Sequence, residues 1–318
     1  MDRTWVFHTE CGKLGVVRKL NKNLILHIEN GILSKSFEMH FGNLADMFDE
    51  IEEDPINCNT LNSYMINEDF VEVIHDIHEC NYPGQHYPRI VRGNINFNYI
   101  SNDFLQDMRA YTNIQKSLDD LFNYIEPVEI NLKTFGHKIR ELLILSCTEV
   151  EYLMKKMLID NDYVCSNNSY LNTKDYFKCK DILKLDKYEV IIQQYADLKK
   201  IHPFKGWTDE GSRTTSSIPW YEAYNSVKHD RGGNIVNANF ENLLDAIAAI
   251  HILLEAQYGS NIFIKHQSLT DDNSLFITTQ KPDWSLSEIT APLLLQGYET
   301  KLEWLTTRKY FEDYPQQL

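Results

Sequence analysis

Two long segments in the middle of the sequence repeat their apolar residues at the spacing of an α-helix. They are NDFLQDMRAYTNIQKSLDDLFNYIEP, residues 102–127, and FGHKIRELLILSCTEVEYLMKKMLIDN, residues 135–161. In the second segment, a turn of about 100° per residue places the apolar side chains on one face and Arg140 and Glu151 together on its flank. Because such wide apolar faces must be covered by other elements, the two segments predict a helical bundle.

A third helix is predicted by NANFENLLDAIAAIHILLEAQYG, residues 237–259. Asn237 or Asn239 can cap its start, and Gly259 can end it. We expect this helix to pack against the one at 140–158, because each carries one wide apolar stripe that another element must cover.

The first part of the chain shows shorter patterns. Residues 1–41 alternate short apolar runs with turn residues, which predicts the strands of a small sheet. Two acidic segments, 43–54 and 67–80, repeat apolar residues at helical spacing and predict two helices. The stretch NYPGQHYPRIVRGN, residues 81–94, contains two prolines and two glycines and is the predicted linker.

Weaker patterns lie between and after the long helices. YEVIIQQYADLKK, residues 188–200, predicts a helix, and residues 206–219 predict a polar loop long enough to be functional. After residue 260 the chain shows short strand patterns separated by turns.

These patterns together predict a mainly α protein in three parts. We expect an N-terminal α+β region with acidic helices at 1–95 and a helical bundle at 96–260. We expect a β-rich C-terminal extension at 261–318, packed on the bundle.

Charge is distributed unevenly along the chain, whose formal net charge is −15. Residues 42–80 contain eleven Asp and Glu and no Lys or Arg, whereas residues 137–231 carry fifteen basic and fourteen acidic side chains. An RNA site in the second range is therefore compatible with the overall acidity. The acidic segment predicts either a docking site for a basic partner or a solvated face.

Several classes of protein are disfavoured by the sequence. No run of eighteen apolar residues occurs and the start lacks the apolar core of a signal peptide, so we expect a cytoplasmic protein without membrane contact. The six cysteines are scattered and predict reduced thiols. His75, His78 and Cys80 do not share one face of a helix, so we expect no metal. No phosphate-binding or dinucleotide-binding pattern occurs, and we expect no cofactor.

The most distinctive short stretch is WYEAYNSVKHDRGG, residues 220–233. If it is helical, Asn225 and His229 lie one turn apart and can contact the same ligand. The two glycines would end the helix and leave His229 and Arg231 in its last turn, where the helix dipole favours cations. The alternative is structural, because these cations can cap helix carbonyls and the aromatic residues can be core anchors.

The helical outline from 101 to 259, with CTEVEYLMKKML followed by W-Y-x-A-Y-N-x-V-K-H-D-R, resembles the HEPN (higher eukaryotes and prokaryotes nucleotide-binding) superfamily. The resemblance implies a helical bundle, usually dimeric, which in active members is a metal-independent RNA endonuclease. The nuclease motif of that superfamily is an arginine, commonly an asparagine next, and then a histidine. Asn225 and His229 match the last two positions, but Tyr224 stands in the place of the arginine, so the motif is degenerate.

Two functions follow from this resemblance. The first is an RNA-cleaving effector, such as a toxin or a phage-defence component, with His229, Asn225 and Arg231 as catalytic residues. Its RNA-binding residues would be Lys228, Arg140 and Tyr224. The second is a catalytically inactive HEPN-like scaffold for binding or dimerisation, in which the same stretch is only a helix end.

Overall fold

The computed structural model describes most of the chain. The described residues are 2–20, 23–28, 35–40, 57–59, 61–62, 73–93, 101–165, 170–195, 197–209, 214–263, 274–295 and 301–317. The chain forms two compact units. The sheet unit consists of Met1–Tyr87, Arg92–Asn98 and Asp283–Arg308, and the helical unit consists of Pro88–Val91, Tyr99–Pro282 and Lys309–Leu318.

The elements of both units are numbered in chain order. The strands are β1 (Arg3–Thr9), β2 (Leu14–Leu20), β3 (Asn23–Ile28), β4 (Lys35–His40), β5 (Ile74–Glu79), β6 (Gln85–His86), β7 (Glu189–Ile192), β8 (Phe276–Gln280), β9 (Leu293–Leu295), β10 (Lys301–Glu303) and β11 (Thr306–Thr307). The longer helices are α1 (Asn102–Phe122), α2 (His137–Asp160), α3 (Thr173–Leu183), α4 (Pro219–His229) and α5 (Phe240–Tyr258). The protein is therefore rich in α-helix and also carries small sheets.

The sheet unit is built on an antiparallel five-stranded sheet with the order β4-β3-β2-β1-β5. The first four strands confirm the prediction for residues 1–41. One face of the sheet packs Trp5, Phe7 and Val17, and the other packs Val6, Val16 and residues near Trp284. Both faces are thus covered, which explains the nearly continuous apolar runs of β1 and β2.

The predicted acidic helix at 67–80 is wrong where the structure describes it. Ile74–Glu79 is strand β5, which pairs antiparallel with β1. Ion pairing between Glu79 and Arg3, with an Arg3 Nε to Glu79 Oε1 distance of 2.7 Å, joins the two strands. Pairing with a strand more than sixty residues away outweighs the local helical pattern. The acidic segment at 43–54 lies outside the described residues.

The C-terminal region is shared by the two units, which differs from the expected single extension at 261–318. In the sheet unit, β9 pairs with β10, and β11 pairs in parallel with β6. In the helical unit, β8 pairs with β7. The reason is that β8 and β11 obtain their hydrogen bonds from strands that are distant in the sequence, β7 and β6, and these belong to different units.

Strand β7 also replaces part of a predicted helix. The pattern at 188–200 predicts a helix, but Glu189–Ile192 is extended. Val190 and Ile192 are buried, and the β-branched side chains suit a strand that has β8 beside it.

The helical unit confirms the three long helices that the sequence predicts. Ser101 caps α1 by accepting the N–H of Phe104, and Asn239 caps α5 by accepting the N–H of Asn242. Gly259 ends α5 with a positive φ of 94°, which a glycine adopts without strain. Helices α2 and α5 pack against each other more extensively than any other pair of helices, so the predicted pairing is confirmed.

The predicted linker at 81–94 is a packed segment where the structure describes it. Its central part, Pro88–Val91, belongs to the helical unit, and Ile90 is 1% exposed. Arg89 is buried and has a left-handed φ of 58°, which costs a non-glycine residue about 1 kcal/mol. Its guanidinium group lies 2.8 Å from the buried carboxylate of Asp107. The ion pair therefore holds this strained segment in the core.

Further charges surround this ion pair. Arg89 Nε donates to Asp160 at 3.1 Å, and Tyr258 donates its hydroxyl proton to Asp107 at 2.7 Å. Lys156 bridges Asp160 and Asp103. The acidic side chains outnumber the cations in this cluster, which raises the cost of ionising any further carboxyl nearby.

Glu149 of α2 is such a carboxyl, and it generates a pH-dependent prediction. Burial, and secondly the charge of Asp107, raises the pKa of Glu149 from its usual 4.5 to about 7. The folded protein thus binds this proton more tightly than the unfolded chain, so the ionised carboxylate opposes folding. The free energy of unfolding should decrease as the pH rises from about 4.5 through about 7.

Glu149→Gln removes that penalty. We expect the variant to exceed the wild type in unfolding free energy by about 1–3 kcal/mol at alkaline pH, and to match it at pH values below the usual glutamate pKa. Urea denaturation across a pH series measures both. Glu141→Gln, at an exposed position of the same helix, is the control. Equal pH profiles for the Glu149→Gln variant and the wild type would contradict the prediction.

Candidate functional site

Helix α4 carries the stretch that the sequence singles out. It begins at Pro219, whose missing N–H and fixed φ suit the first helical position. Its buried face is largely aromatic and consists of Trp220, Tyr221, Ala223, Tyr224 and Val227. The indole N–H of Trp220 donates to the carbonyl of Pro203 at 2.8 Å. This face anchors the helix in the core, and its other residues point outward.

The C-terminal end of α4 differs from the prediction that the two glycines of the motif terminate it. The helix ends at His229, because Asp230 leaves the helical conformation with a φ of −136°. The Asp230 side chain then accepts the N–H of Gly233 and caps a new helical turn, Arg231–Asn234. A Cβ at residue 233 would lie 2.8 Å from a carboxylate oxygen of Asp230, so a side chain at this position would displace the capping carboxylate.

The predicted pair Asn225 and His229 lies on α4 as expected. His229 is exposed and Asn225 is partly exposed. Neither side chain makes a hydrogen bond to another residue within the described part of the chain. Residues at i and i+4 are neighbours on a helix surface, so both side chains can contact one ligand.

Arg140 reaches this helix end from α2. Its Nε and Nη2 donate to the carbonyl of Val227 at 3.3 and 3.1 Å. That carbonyl belongs to the last turn of α4, where carbonyl groups lack helical partners. Arg140 therefore holds the end of α4 through two of its three guanidinium nitrogens.

Lys228 is the second cation at this end. It is exposed, its ammonium donates to the hydroxyl of Tyr224 at 2.8 Å, and it lies 4.9 Å from the centre of that ring. The hydrogen bond that Lys228 donates to this tyrosine is the largest contribution to the raised pKa of Lys228. The third predicted cation, Arg231, begins the next helical turn, and its side chain lies outside the described part.

Tyr221 and Glu151 form a link that the sequence did not predict. The tyrosine hydroxyl donates to the Glu151 carboxylate at 2.6 Å, and burial together with this bond raises the pKa of Tyr221. The helical pattern does place Glu151 beside Arg140 on the flank of α2. No local pattern shows that both side chains bind α4, because that contact depends on how the two helices cross.

The end of α4 thus presents an exposed imidazole together with two cations. Histidine is the side chain that most often serves as a general acid or base in enzymes. Lys228 and Arg140 supply positive charge of the kind that stabilises a phosphate. Tyr224, which occupies the place of the arginine, is 1% exposed. It contacts Lys228 instead of solvent.

A buried polar cluster around α5 is a second feature that local sequence patterns do not predict. His251 Nδ1 lies 2.8 Å from Ser274 Oγ, and its Nε2 lies 3.5 Å from Glu255. This order of groups is that of a nucleophilic triad. However, Ser274 is 7% exposed, and its Oγ also contacts the hydroxyl of Tyr111 and the N–H of Phe276. The hydrogen-bonding capacity of this hydroxyl is satisfied by buried partners, so we interpret the cluster as structural.

Other site classes receive no support from the described residues. Within them, no group of three or more His, Cys, Asp or Glu side chains is arranged to hold a metal ion. Among the same residues, no helix has the length and apolarity needed to span a membrane. Comparison with protein-family models, with curated proteins and with solved structures finds no match to this chain.

The contact between Arg140 and Val227 generates a prediction about α4. Arg140→Met keeps most of the aliphatic stem and removes both hydrogen bonds. We expect a loss of about 1 kcal/mol in unfolding free energy and faster amide hydrogen exchange in the last turn of α4. Arg109→Met, at an exposed position of α1, is the control. Unchanged exchange in α4 would show that Arg140 does not hold the helix end.

Proposed function

We propose that the helical unit is a HEPN-like RNA-directed module that cleaves RNA without a metal at the C-terminal end of α4. The observation that carries this proposal is the position of His229. It is exposed and makes no hydrogen bond to the other described residues, while Lys228 and Arg140 gather at the same helix end. An unpaired imidazole beside cations is suited to a phosphodiester substrate.

The reaction that fits these groups is an internal transesterification. The ribose 2′-oxygen attacks the adjacent phosphorus, the bond to the 5′-oxygen breaks, and a 2′,3′-cyclic phosphate and a 5′-hydroxyl form. His229 accepts the proton of the 2′-hydroxyl and returns a proton to the leaving 5′-oxygen, so protons balance without a co-reactant. Asn225, one turn away, can donate its amide hydrogens to a phosphate oxygen.

A specific observation favours the second candidate function, an inactive binding or dimerisation scaffold. Arg140 already binds the carbonyl of Val227, and Tyr224 in the arginine place is buried. In this alternative, His229 and Lys228 are surface residues that only end the helix.

The biological setting belongs to the proposal as well. An RNA-cleaving module of this type suits a cytoplasmic toxin or phage-defence effector. The acidic segment at 42–80 then provides a docking site for a basic protein partner.

We further propose that the module forms a homodimer through α2. Leu145, Tyr152 and Ile159 are 52%, 37% and 48% exposed and follow one another at intervals of seven residues. This stripe spans about 21 Å and is symmetric about Tyr152. In an antiparallel pair of α2 helices, Leu145 of one copy lies opposite Ile159 of the other, twice, as a two-fold interface requires.

The first test of the proposed function is His229→Ala. We expect loss of RNA cleavage, since general acid–base catalysis contributes about 10²–10⁴-fold, with a melting temperature close to that of the wild type. Asn225→Ala should reduce the rate less. Gel assays with total RNA, repeated in EDTA, measure cleavage and its independence of metal.

His137→Ala removes an exposed histidine at the start of α2 and serves as the control. If the wild type leaves total RNA, tRNA and mRNA intact, and His229→Ala chiefly lowers stability, the scaffold function replaces the nuclease.

The dimer has its own test in Tyr152→Glu, which places a charge at the centre of the stripe. We expect the wild type to be a dimer and this variant a monomer by light scattering at micromolar concentration. Ile130→Glu, at a position that is 88% exposed and outside α2, should leave the dimer intact. A monomeric wild type would rule out the interface.

A further inference from the structure

Tyr224 cannot provide the positive charge that the proposed reaction requires. That reaction needs a cation next to the phosphate, and a tyrosine side chain is never cationic. The tyrosine is buried, and its hydroxyl points to the ammonium group of Lys228, one helical turn further along. The charge that the site needs is therefore present, although it is carried by a different residue.

From this contact we infer that Lys228 is the phosphate-binding cation of the site and that Tyr224 is the residue that positions it. The inference rests on the proposed function. In this reading, Tyr224 and Lys228 together replace the arginine of the nuclease motif. The buried tyrosine fixes the position of the ammonium group, and the exposed lysine provides the charge.

The contact with Tyr224 restrains the ammonium group of Lys228 and leaves some of its donor hydrogens available. A lysine ammonium has three donor hydrogens, and Tyr224 accepts one of them at 2.8 Å. The ring lies 4.9 Å below, within the range of a cation–π contact. Two hydrogens thus remain for phosphate oxygens, on a side chain that otherwise has several free rotatable bonds.

Tyr224 itself is held in place by its surroundings. It is 1% exposed, and its ring contacts that of Tyr221 at 5.5 Å, while Tyr221 is tied to Glu151. An ammonium group bound to a hydroxyl on such a fixed ring has a more closely defined position than one bound only to water.

Arg140 is less suited to the role. Its Nε and Nη2 donate to the carbonyl of Val227, and moving the guanidinium group to a phosphate would break both bonds. Among the cations whose side chains the structure describes at this helix end, Lys228 combines exposure with a contact that leaves donors available.

The experiment compares paired variants in cleavage of a 5′-labelled single-stranded RNA of mixed sequence by the full chain. Lys228→Ala should lower kcat by about 10²-fold or more with little change in KM, as expected for a group that acts mainly in the transition state. Lys228→Arg should retain more activity than Lys228→Gln because it retains the charge. Lys155→Ala, at an exposed lysine of α2, is the matched control.

Tyr224→Phe tests positioning, because it removes only the hydroxyl. We expect a fall in kcat of about tenfold, the effect of one hydrogen bond to a charged group. Tyr163→Phe removes a tyrosine hydroxyl that donates to Asp175 and does not contact Lys228, so it should leave kcat nearer to that of the wild type. Melting temperatures of both variants separate a loss of folding from a loss of positioning.

The outcomes distinguish a failure of the roles assigned to Lys228 and Tyr224 from a failure of the proposed nuclease function. If the wild type cleaves the RNA, His229→Ala does not, and Lys228→Ala equals Lys155→Ala, the inference is wrong while the proposed function stands. If Lys228→Ala is impaired but Tyr224→Phe equals Tyr163→Phe, the positioning role of Tyr224 is wrong. If the wild type does not cleave, the proposed function fails and the inference with it.

Discussion

Helix α5 is buried along nearly its whole length, and the helical unit depends on how the polar side chains of that helix are paired. A buried polar group without a partner costs about 1–3 kcal/mol, and a buried charge without one costs more. His251 and Glu255 therefore bind groups next to or on β8, Gln257 binds the backbone of α2, and Tyr258 binds Asp107 of α1. These bonds join α5 to three neighbours, which are the β8 region, α2 and α1.

The same requirement explains the buried position of Arg89. Gln257 accepts a hydrogen bond from Arg89, and Asp107 receives both the guanidinium group and the tyrosine hydroxyl. The segment Pro88–Val91 is thus fixed in the helical unit by charge pairing as well as by apolar contacts. Removing one partner of such a buried pair typically costs about 3–5 kcal/mol, because the other charge remains in the core.

Helix α2 connects this core to the candidate site. One face packs on α5, and its flank provides Arg140 and Glu151, which bind α4 near its end and near its start, respectively. The exposed His229 is therefore carried by a helix whose position the core determines. A site held in this way needs few contacts of its own, which leaves Asn225 and His229 available to a ligand.

Local sequence determined the elements whose signals are contained within them. The periodicity and caps of α1, α2 and α5, the strands β1 to β4, and the spacing of Asn225 and His229 in α4 all follow from neighbouring residues. Tertiary structure alone decided β5 and β7, because their hydrogen bonds come from strands far away in the sequence and outweigh a local helical pattern. It also decided that Tyr224, one turn before Lys228, is buried and that Arg140 binds Val227, because burial and contacts between helices depend on how helices cross and which face is covered.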